Sequence, residues 1–251
     1  MIRVIVSGAS GRVGQVMLAG LRQQPGLELV GGFGRADAGH LPYLLGQADV
    51  LVDFTTAEAA PGILLAAIQS GVRPVSGTTG LSTESLDAVD AAAHERGIGA
   101  AWAPNFAIGA VLMIYFAQIA ARYMEAAEVI EMHHDRKVDA PSGTSISTAR
   151  AIRAARGDDL PDPPVQKWTL EGARGAVEGG VRIHSIRLPG LVAHQEVLFG
   201  APGQVLTIRH DAPSREAYVP GVALAVREVM HRVGLVRGLD RLMGLGVEDG
   251  S

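Results

Sequence analysis

Ile2-Arg3-Val4-Ile5-Val6-Ser7 runs directly into Gly8-Ala9-Ser10-Gly11-Arg12-Val13-Gly14, and this junction decides the fold. The first six residues are short and rich in β-branched side chains, the pattern of a buried strand. Gln15 to Gln24 carries helical spacing, and Leu27 to Phe33 reads as a second strand. Strand, glycine-rich turn, helix and strand in close succession make the βαβ unit of a dinucleotide fold. The spacing G-x-x-G-x-x-G is a variant of G-x-G-x-x-G with the same physics. Small residues let the backbone approach a pyrophosphate, and the helix start offers free N–H groups and a positive dipole end. The alternative is a tight turn that binds nothing.

The alternation continues outward from this unit. Strands are expected over Ala48–Phe54, Arg73–Ser76 and Gly99–Ala103, with helices over Ala57–Ser70 and Thr83–Arg96. Repeated β then α implies a parallel sheet with helices on both faces. Ligands bind such sheets beyond the carboxyl ends of the strands. Those ends are the Gly8–Gly14 turn, Phe54-Thr55, Gly77-Thr78-Thr79-Gly80 and Pro104-Asn105-Phe106. The Gly77–Gly80 turn suits presentation of backbone groups to a nicotinamide ring, and Phe54 or Phe106 can stack near it. Ordinary connecting loops are the competing reading. After the second strand an acidic residue would report NADH and an arginine NADPH. Phe33-Gly34-Arg35-Ala36-Asp37 lacks the immediate acid and carries Arg35, so NADPH is favoured. Asp37 lies close enough to reach a ribose, which keeps NADH open.

The period changes after about residue 105. A helix over Ile108–Ala121 leads to a strand over Ala127–Met132, a helix over Thr144–Arg156 and a proline-rich loop over residues 157–167. Gly179–Leu188, Leu191–Phe199 and Gln204–His210 read as strands joined by Pro189-Gly190 and Ala201-Pro202-Gly203 turns, which predicts an antiparallel meander. A helix over Ala217–Arg232 is placed to return to the first domain. The expected fold class is α/β: a Rossmann-like domain with a parallel sheet (1–104 and 216–251) plus a C-terminal α+β domain with a mixed or antiparallel sheet (105–215). Residues 244–251 look loose.

Composition narrows the function classes. Hydrophobic residues at 47% and charged residues at 19% support a sizeable core rather than disorder. A net charge of −4 gives no support for nucleic-acid binding. Without cysteine there is no disulfide, thiolate metal site or cysteine nucleophile, which fits a reducing compartment. Apolar runs are broken well before membrane-spanning length, so a soluble cytoplasmic protein is expected.

The chemistry concentrates in Glu131-Met132-His133-His134-Asp135-Arg136-Lys137-Val138-Asp139-Ala140-Pro141-Ser142-Gly143-Thr144-Ser145. Ser142 suits a helix N-cap, leaving the Gly143 and Thr144 amides as donors for a carboxylate or phosphate. Lys137, Arg136, His133 and His134 add positive charge and proton-transfer groups. In a continuing strand the two histidines would point to opposite faces. Adjacent histidines with no third ligand at a characteristic spacing argue against a metal. A basic surface loop is the bland alternative. His184, His194, His210, Arg209 and Arg215 are weaker candidates.

This stretch is similar to the E-x-H-H-x-x-K-x-D-A-P-S-G-T-[AS] signature of the 4-hydroxy-tetrahydrodipicolinate reductases (dihydrodipicolinate reductases) of lysine and diaminopimelate synthesis. Gly8–Gly14 resembles that family's G-A-x-G-R-M-G turn, with Val13 for the methionine. Asp53-Phe54-Thr55, Gly77-Thr78-Thr79-Gly80 and Ala103-Pro104-Asn105-Phe106 match as well. The resemblance spans residue 2 to about 230. It implies an NAD(P)H-dependent reductase of a small cyclic dicarboxylate, assembled as a homotetramer, with no metal. His133 and Lys137 would be the catalytic proton donors; His134, Lys137, Gly143 and Thr144 would hold the substrate carboxylates. The expected cofactor set is Gly8, Ser10, Gly11, Arg12, Val13, Gly14, Arg35, Phe54, Gly77, Thr78, Thr79, Ala103, Pro104, Asn105 and Phe106. Gly34 replaces the family's usual acid after the second strand, which puts NADH preference in doubt.

Overall fold

The computed structural model describes residues 1–245. The chain partitions into two compact units, residues 1–108 with the segment from Arg215 onward, and Gly109–Ser214. The first unit contains β1 (Ile2–Ser7), α1 (Arg12–Leu21), β2 (Leu27–Phe33), α2 (Leu41–Leu45), β3 (Val50–Asp53), α3 (Ala60–Gln69), β4 (Arg73–Ser76), α4 (Thr83–Arg96) and β5 (Gly99–Trp102). The second contains nearly all of α5 (Ile108–Ala121), then β6 (Ala126–His133), α6 (Gly143–Arg156), β7 (Ala176–Glu178), β8 (Val181–Arg187), β9 (Ala193–Ala201) and β10 (Gln204–Ala212). The chain then supplies α7 (Val219–Glu228), β11 (Gly234–Arg237) and α8 (Leu239–Leu242) to the first unit.

In the first unit six strands form one parallel sheet in the order β11-β5-β4-β3-β1-β2. The strand order reverses at β1, between β2 and β3, which is the crevice where such folds bind ligands. Val4, Val6, Val50, Leu51 and Val52 are fully buried, as continuous apolar strands covered on both faces must be. The last residues of the strands share one register row, Phe33–Ser7–Asp53–Ser76–Trp102–Arg237. All the expected ligand loops therefore leave the sheet along a common edge. The returning helix α7 packs on α1, where a side chain at Gly20 would collide with Val219.

The second unit forms a mixed sheet in the order β10-β9-β6-β8-β7. This corrects the expected meander. Strand β6 lies between β8 and β9, parallel to the first and antiparallel to the second. The Pro189-Gly190 turn reverses the chain as read, but a turn specifies reversal and not which strand fills the gap. The apolar interior of β6 (Ala127, Val129), with Val181, Ile183, Val197 and Phe199, forms the core beneath α5 and α6. Two further strands were not expected, β7 and β11, of three and four residues. The expectation for residues 244–251 falls mostly outside the described residues. Among the described residues no helix is long and apolar enough to cross a membrane.

Candidate active site

The glycine turn behaves as its spacing demands. Gly8 adopts φ +73°, and a Cβ there would sit 2.3 Å from the Phe54 carbonyl oxygen. At Gly14 a Cβ would come within 2.1 Å of the Gly8 carbonyl oxygen. Both positions require glycine, the first for a left-handed conformation and the second for close turn–helix packing. Helix α1 starts at Gly11 without a side-chain cap and without an acidic residue in its first turn. By contrast, α4 and α6 are capped by Ser82 and Ser142. The α1 start therefore keeps its donors and its positive dipole end for an outside anion. Ser10, Gly11 and Arg12 are exposed, and Val13 is half-buried. This arrangement fits a dinucleotide pyrophosphate.

The cofactor-choice segment is sharper than the sequence allowed. The Asp37 carboxylate accepts the Gly34 N–H at 2.9 Å and closes the turn after β2. Its charge is engaged in local backbone capping. Arg35 is exposed, and among the described residues neither it nor Arg12 pairs with a carboxylate.

At the other strand ends the expected residues divide by burial. Thr79 and Pro104 are exposed; Phe54, Gly77 and Asn105 are half-buried; Thr78, Ala103 and Phe106 are buried. The Phe54 and Phe106 rings meet edge to face at 6.1 Å between centroids. With Phe106 only 2% exposed, Phe54 is the ring of the two with a free surface. Asn105 Oδ1 accepts the Ala107 N–H and so shapes the loop after β5.

The second constellation grows from the end of β6. Glu131 and His133 are two residues apart, so they share a face of the strand. His133 Nδ1 lies 2.5 Å from Glu131 Oε2. Arg187, at the end of β8, binds the same carboxylate through two nitrogens at 2.9 and 2.8 Å. The register explains the meeting, because His133 and Arg187 are paired across parallel β6 and β8. Arg187 also donates to the Asp139 carbonyl, and the Ser142 N–H donates to Glu131 Oε1. One buried carboxylate thus ties the strand, the catalytic-type loop and the start of α6. Burial pushes the Glu131 carboxyl up, but hydrogen bonds from His133, Arg187 and Ser185, with the His133 charge, overcome that and hold its pKa down at about 2. With Nδ1 directed at Glu131, Nε2 is the His133 nitrogen left for another partner.

The Lys137 ammonium contacts both oxygens of Asp139, at 2.7 and 2.8 Å. His134 is half-buried and its Nδ1, buried within the fold, has no hydrogen-bond partner among the described residues. Ser142 caps α6 as expected, its hydroxyl accepting the Ser145 N–H. That leaves Gly143, exposed, and Thr144, half-buried, at a helix start where amides lack intrahelical partners. Arg136 is exposed. His184 pairs with Glu128 and His194 with Asp211, so both have partners away from the motif. Among the described residues no group of three or more His, Asp or Glu is placed to hold a metal ion. Sequence reading did not single out Arg187 and gave Glu131 no role. The usable signal was the arginine at a strand's end before a Pro-Gly turn, but it needed the correct neighbour for β8.

A parallel sheet reversing at β1, an uncapped glycine-rich helix start and a separate set of proton-transfer groups define a nicotinamide-dependent oxidoreductase. Residues 2–106 match the model for "Dihydrodipicolinate reductase, N-terminus" and residues 109–243 that for "Dihydrodipicolinate reductase, C-terminus". The chain belongs to the dihydrodipicolinate reductase family. It is 48% identical to the 4-hydroxy-tetrahydrodipicolinate reductase of Dehalococcoides mccartyi, over 97% of this chain and 99% of that protein. It is 45% identical to the enzyme of that name from Moorella thermoacetica, over 96% and 98% respectively. A solved dipicolinate-bound dihydrodipicolinate reductase from a Paenisporosarcina species superposes with a TM-score of 0.88 at 39% identity, covering 96% of this chain and 99% of that one. The amine dehydrogenase of Mycobacterium smegmatis, at 16% identity and a TM-score of 0.63, shares the fold.

Proposed function

We propose that this chain is a 4-hydroxy-tetrahydrodipicolinate reductase, which removes water from its cyclic dicarboxylate substrate and reduces it to tetrahydrodipicolinate with NAD(P)H. The observation that carries the reading is the Glu131–His133–Lys137–α6 constellation, built on one strand, one loop and one helix start. The bound nicotinamide supplies a hydride. The chain's own residues do the rest. The Gly8–Gly11 turn and the α1 start receive the pyrophosphate, with Gly14 packing the helix against the turn, and Phe54 with Gly77–Gly80 borders the nicotinamide. His134, Gly143 and Thr144 receive carboxylate oxygens, which would give the free amides at the α6 start acceptors. Lys137 exchanges Asp139 for a substrate carboxylate. Hydride addition builds negative charge in the conjugated ring. Lys137, assisted by His133, offsets that charge and then delivers a proton to the ring carbon.

NADPH is the preferred cofactor on this reading, because Asp37 is engaged in capping Gly34 while Arg35 is free to meet a 2′-phosphate. The test is NAD(P)H oxidation with substrate generated in situ from pyruvate and aspartate semialdehyde. Turnover with NADPH exceeding that with NADH is expected, and no turnover at micromolar enzyme would defeat the assignment. Arg35→Ala should raise the NADPH KM by roughly 10–100-fold, the weight of a charge-assisted hydrogen-bond pair. The NADH KM should stay within about twofold. The chain is read as a homotetramer, with support from outer strand β10, which exposes Val205 and Leu206 on an unpaired sheet edge. Light scattering should return the mass of four chains; a monomer mass would reject this.

A further inference from the structure

Asp53 is fully buried at the end of β3, yet it has no role in the chemistry described so far. Four hydroxyls converge on its carboxylate. Ser7 and Thr55 donate to Oδ1, both at 2.7 Å; Ser76 and Thr78 donate to Oδ2, at 2.8 and 2.7 Å. The sheet register makes this possible. Ser7, Asp53 and Ser76 are paired across β1, β3 and β4, so their side chains share a face. Thr55 and Thr78 follow two residues on, in the direction of the ligand loops.

The network is directional. Each of the four hydroxyls has one proton, and each donates it to Asp53. Their lone pairs then serve the backbone: Thr78 Oγ1 accepts the Thr55 N–H, and Ser76 Oγ accepts the Thr78 N–H. Thr78 is fastened a third time, its carbonyl accepting the Trp102 indole N–H at 2.8 Å. Thr78 is therefore held by side chain, amide and carbonyl. Thr79 and Gly80, immediately after it, are exposed. A buried carboxyl group is a costly way to tie strands that are otherwise held by apolar packing. Its position at the loop edge of the sheet, with its donors drawn from two of the loops, gives that cost a use.

We propose that Asp53 is the positioning residue for the nicotinamide-facing turn: through Thr55 and Thr78 it sets the backbone of Gly77–Gly80 and Phe54. The proposal rests on the reading of this edge as the NAD(P)H site. Asp53→Asn retains the shape but places two N–H donors among hydroxyls that already have fixed directions. Thr78, accepting from Thr55 and then from the amide, would lose the acceptor for its own proton.

The test is calorimetric binding of NADPH and of 2′-phospho-ADP-ribose, a probe lacking nicotinamide, to the full-length wild type, Asp53→Asn, Thr78→Val and Thr78→Ser. The wild type should bind both. Asp53→Asn and Thr78→Val should weaken NADPH by roughly tenfold or more, the scale of unmade buried hydrogen bonds, with the probe within about twofold. Thr78→Ser, which restores the hydroxyl, should bind NADPH like the wild type. Equal weakening of NADPH and probe would mean a merely structural role and overturn the proposal, as would unchanged NADPH affinity in Thr78→Val. A wild type that binds neither ligand would instead refute the cofactor reading beneath it.

Discussion

Replacing Lys137 by alanine is expected to lower kcat by roughly 10²–10⁴-fold, the range of a lost general acid. The substrate KM should rise as well, since the same ammonium is assigned a carboxylate. The fold should be nearly unaffected. Lys137 is half-buried at 20% exposure, but its partner Asp139 is 55% exposed, so solvent screens the pair and it contributes only about 0–1 kcal/mol. A melting temperature within about four degrees of wild type is therefore the control that makes the rate loss chemical. Lys137→Arg separates the two duties. Arginine keeps the cation for the carboxylate, but it does not give up a proton at neutral pH. The arginine variant should recover much of the KM while kcat stays low. Full kcat in Lys137→Ala would remove the residue from the proton step even if the reductase activity is confirmed.

Much of the fold was legible because its signals are local. Strands β1, β2 and β4 and helices α4 and α5 fall on the residues expected, all but α5 bounded by glycine or a cap and each carrying its own periodicity. The pairing of β6 was not legible. Whether β8 lies beside β9 or beside β6 depends on contacts between residues more than fifty positions apart, and the Pro-Gly turn is compatible with both. That misreading hid the partner of Glu131. In a meander Arg187 is a strand-end arginine facing its own hairpin; in the observed sheet it stands opposite His133 and clamps Glu131. Strand β11 escaped for a different reason. Gly234-Leu235-Val236-Arg237 is too short to show alternation and is selected by the open edge of β5. His133, Lys137, Gly143 and Thr144 could be read together because they fall within twelve consecutive positions, on one strand end, one loop and one helix start. The Asp53 network was visible as letters, with serine and threonine after each strand, but its geometry needed the register.

Arg187→Ala should be the most destabilising of these substitutions. It removes the bidentate partner of a carboxylate with no solvent exposure, leaving only His133 and neutral donors against it, and breaking a buried charge pair costs about 3–5 kcal/mol. For a chain of this length that corresponds to a melting-temperature fall on the order of 10 °C. The same carboxylate predicts an acid limb in the wild type. The Glu131 pKa is about 2 in the folded chain, against 4.5 for a free glutamate. A depressed folded value means that the stabilisation is complete above pH 4.5 and is lost as pH falls from there towards 2. The difference is worth about 3 kcal/mol at neutral pH. Other carboxyls held low by arginines, such as Asp49 and Asp162, add acid dependence of their own. The comparison must therefore be between the wild type and Glu131→Gln, which has no titrating group at this position and shares that background. Urea unfolding at pH 7, 5, 4 and 3 should show the variant less stable at pH 7, with the gap closing as pH drops below 4.5. A gap that stays constant with pH would mean that Glu131 is not the ionised hub of the site.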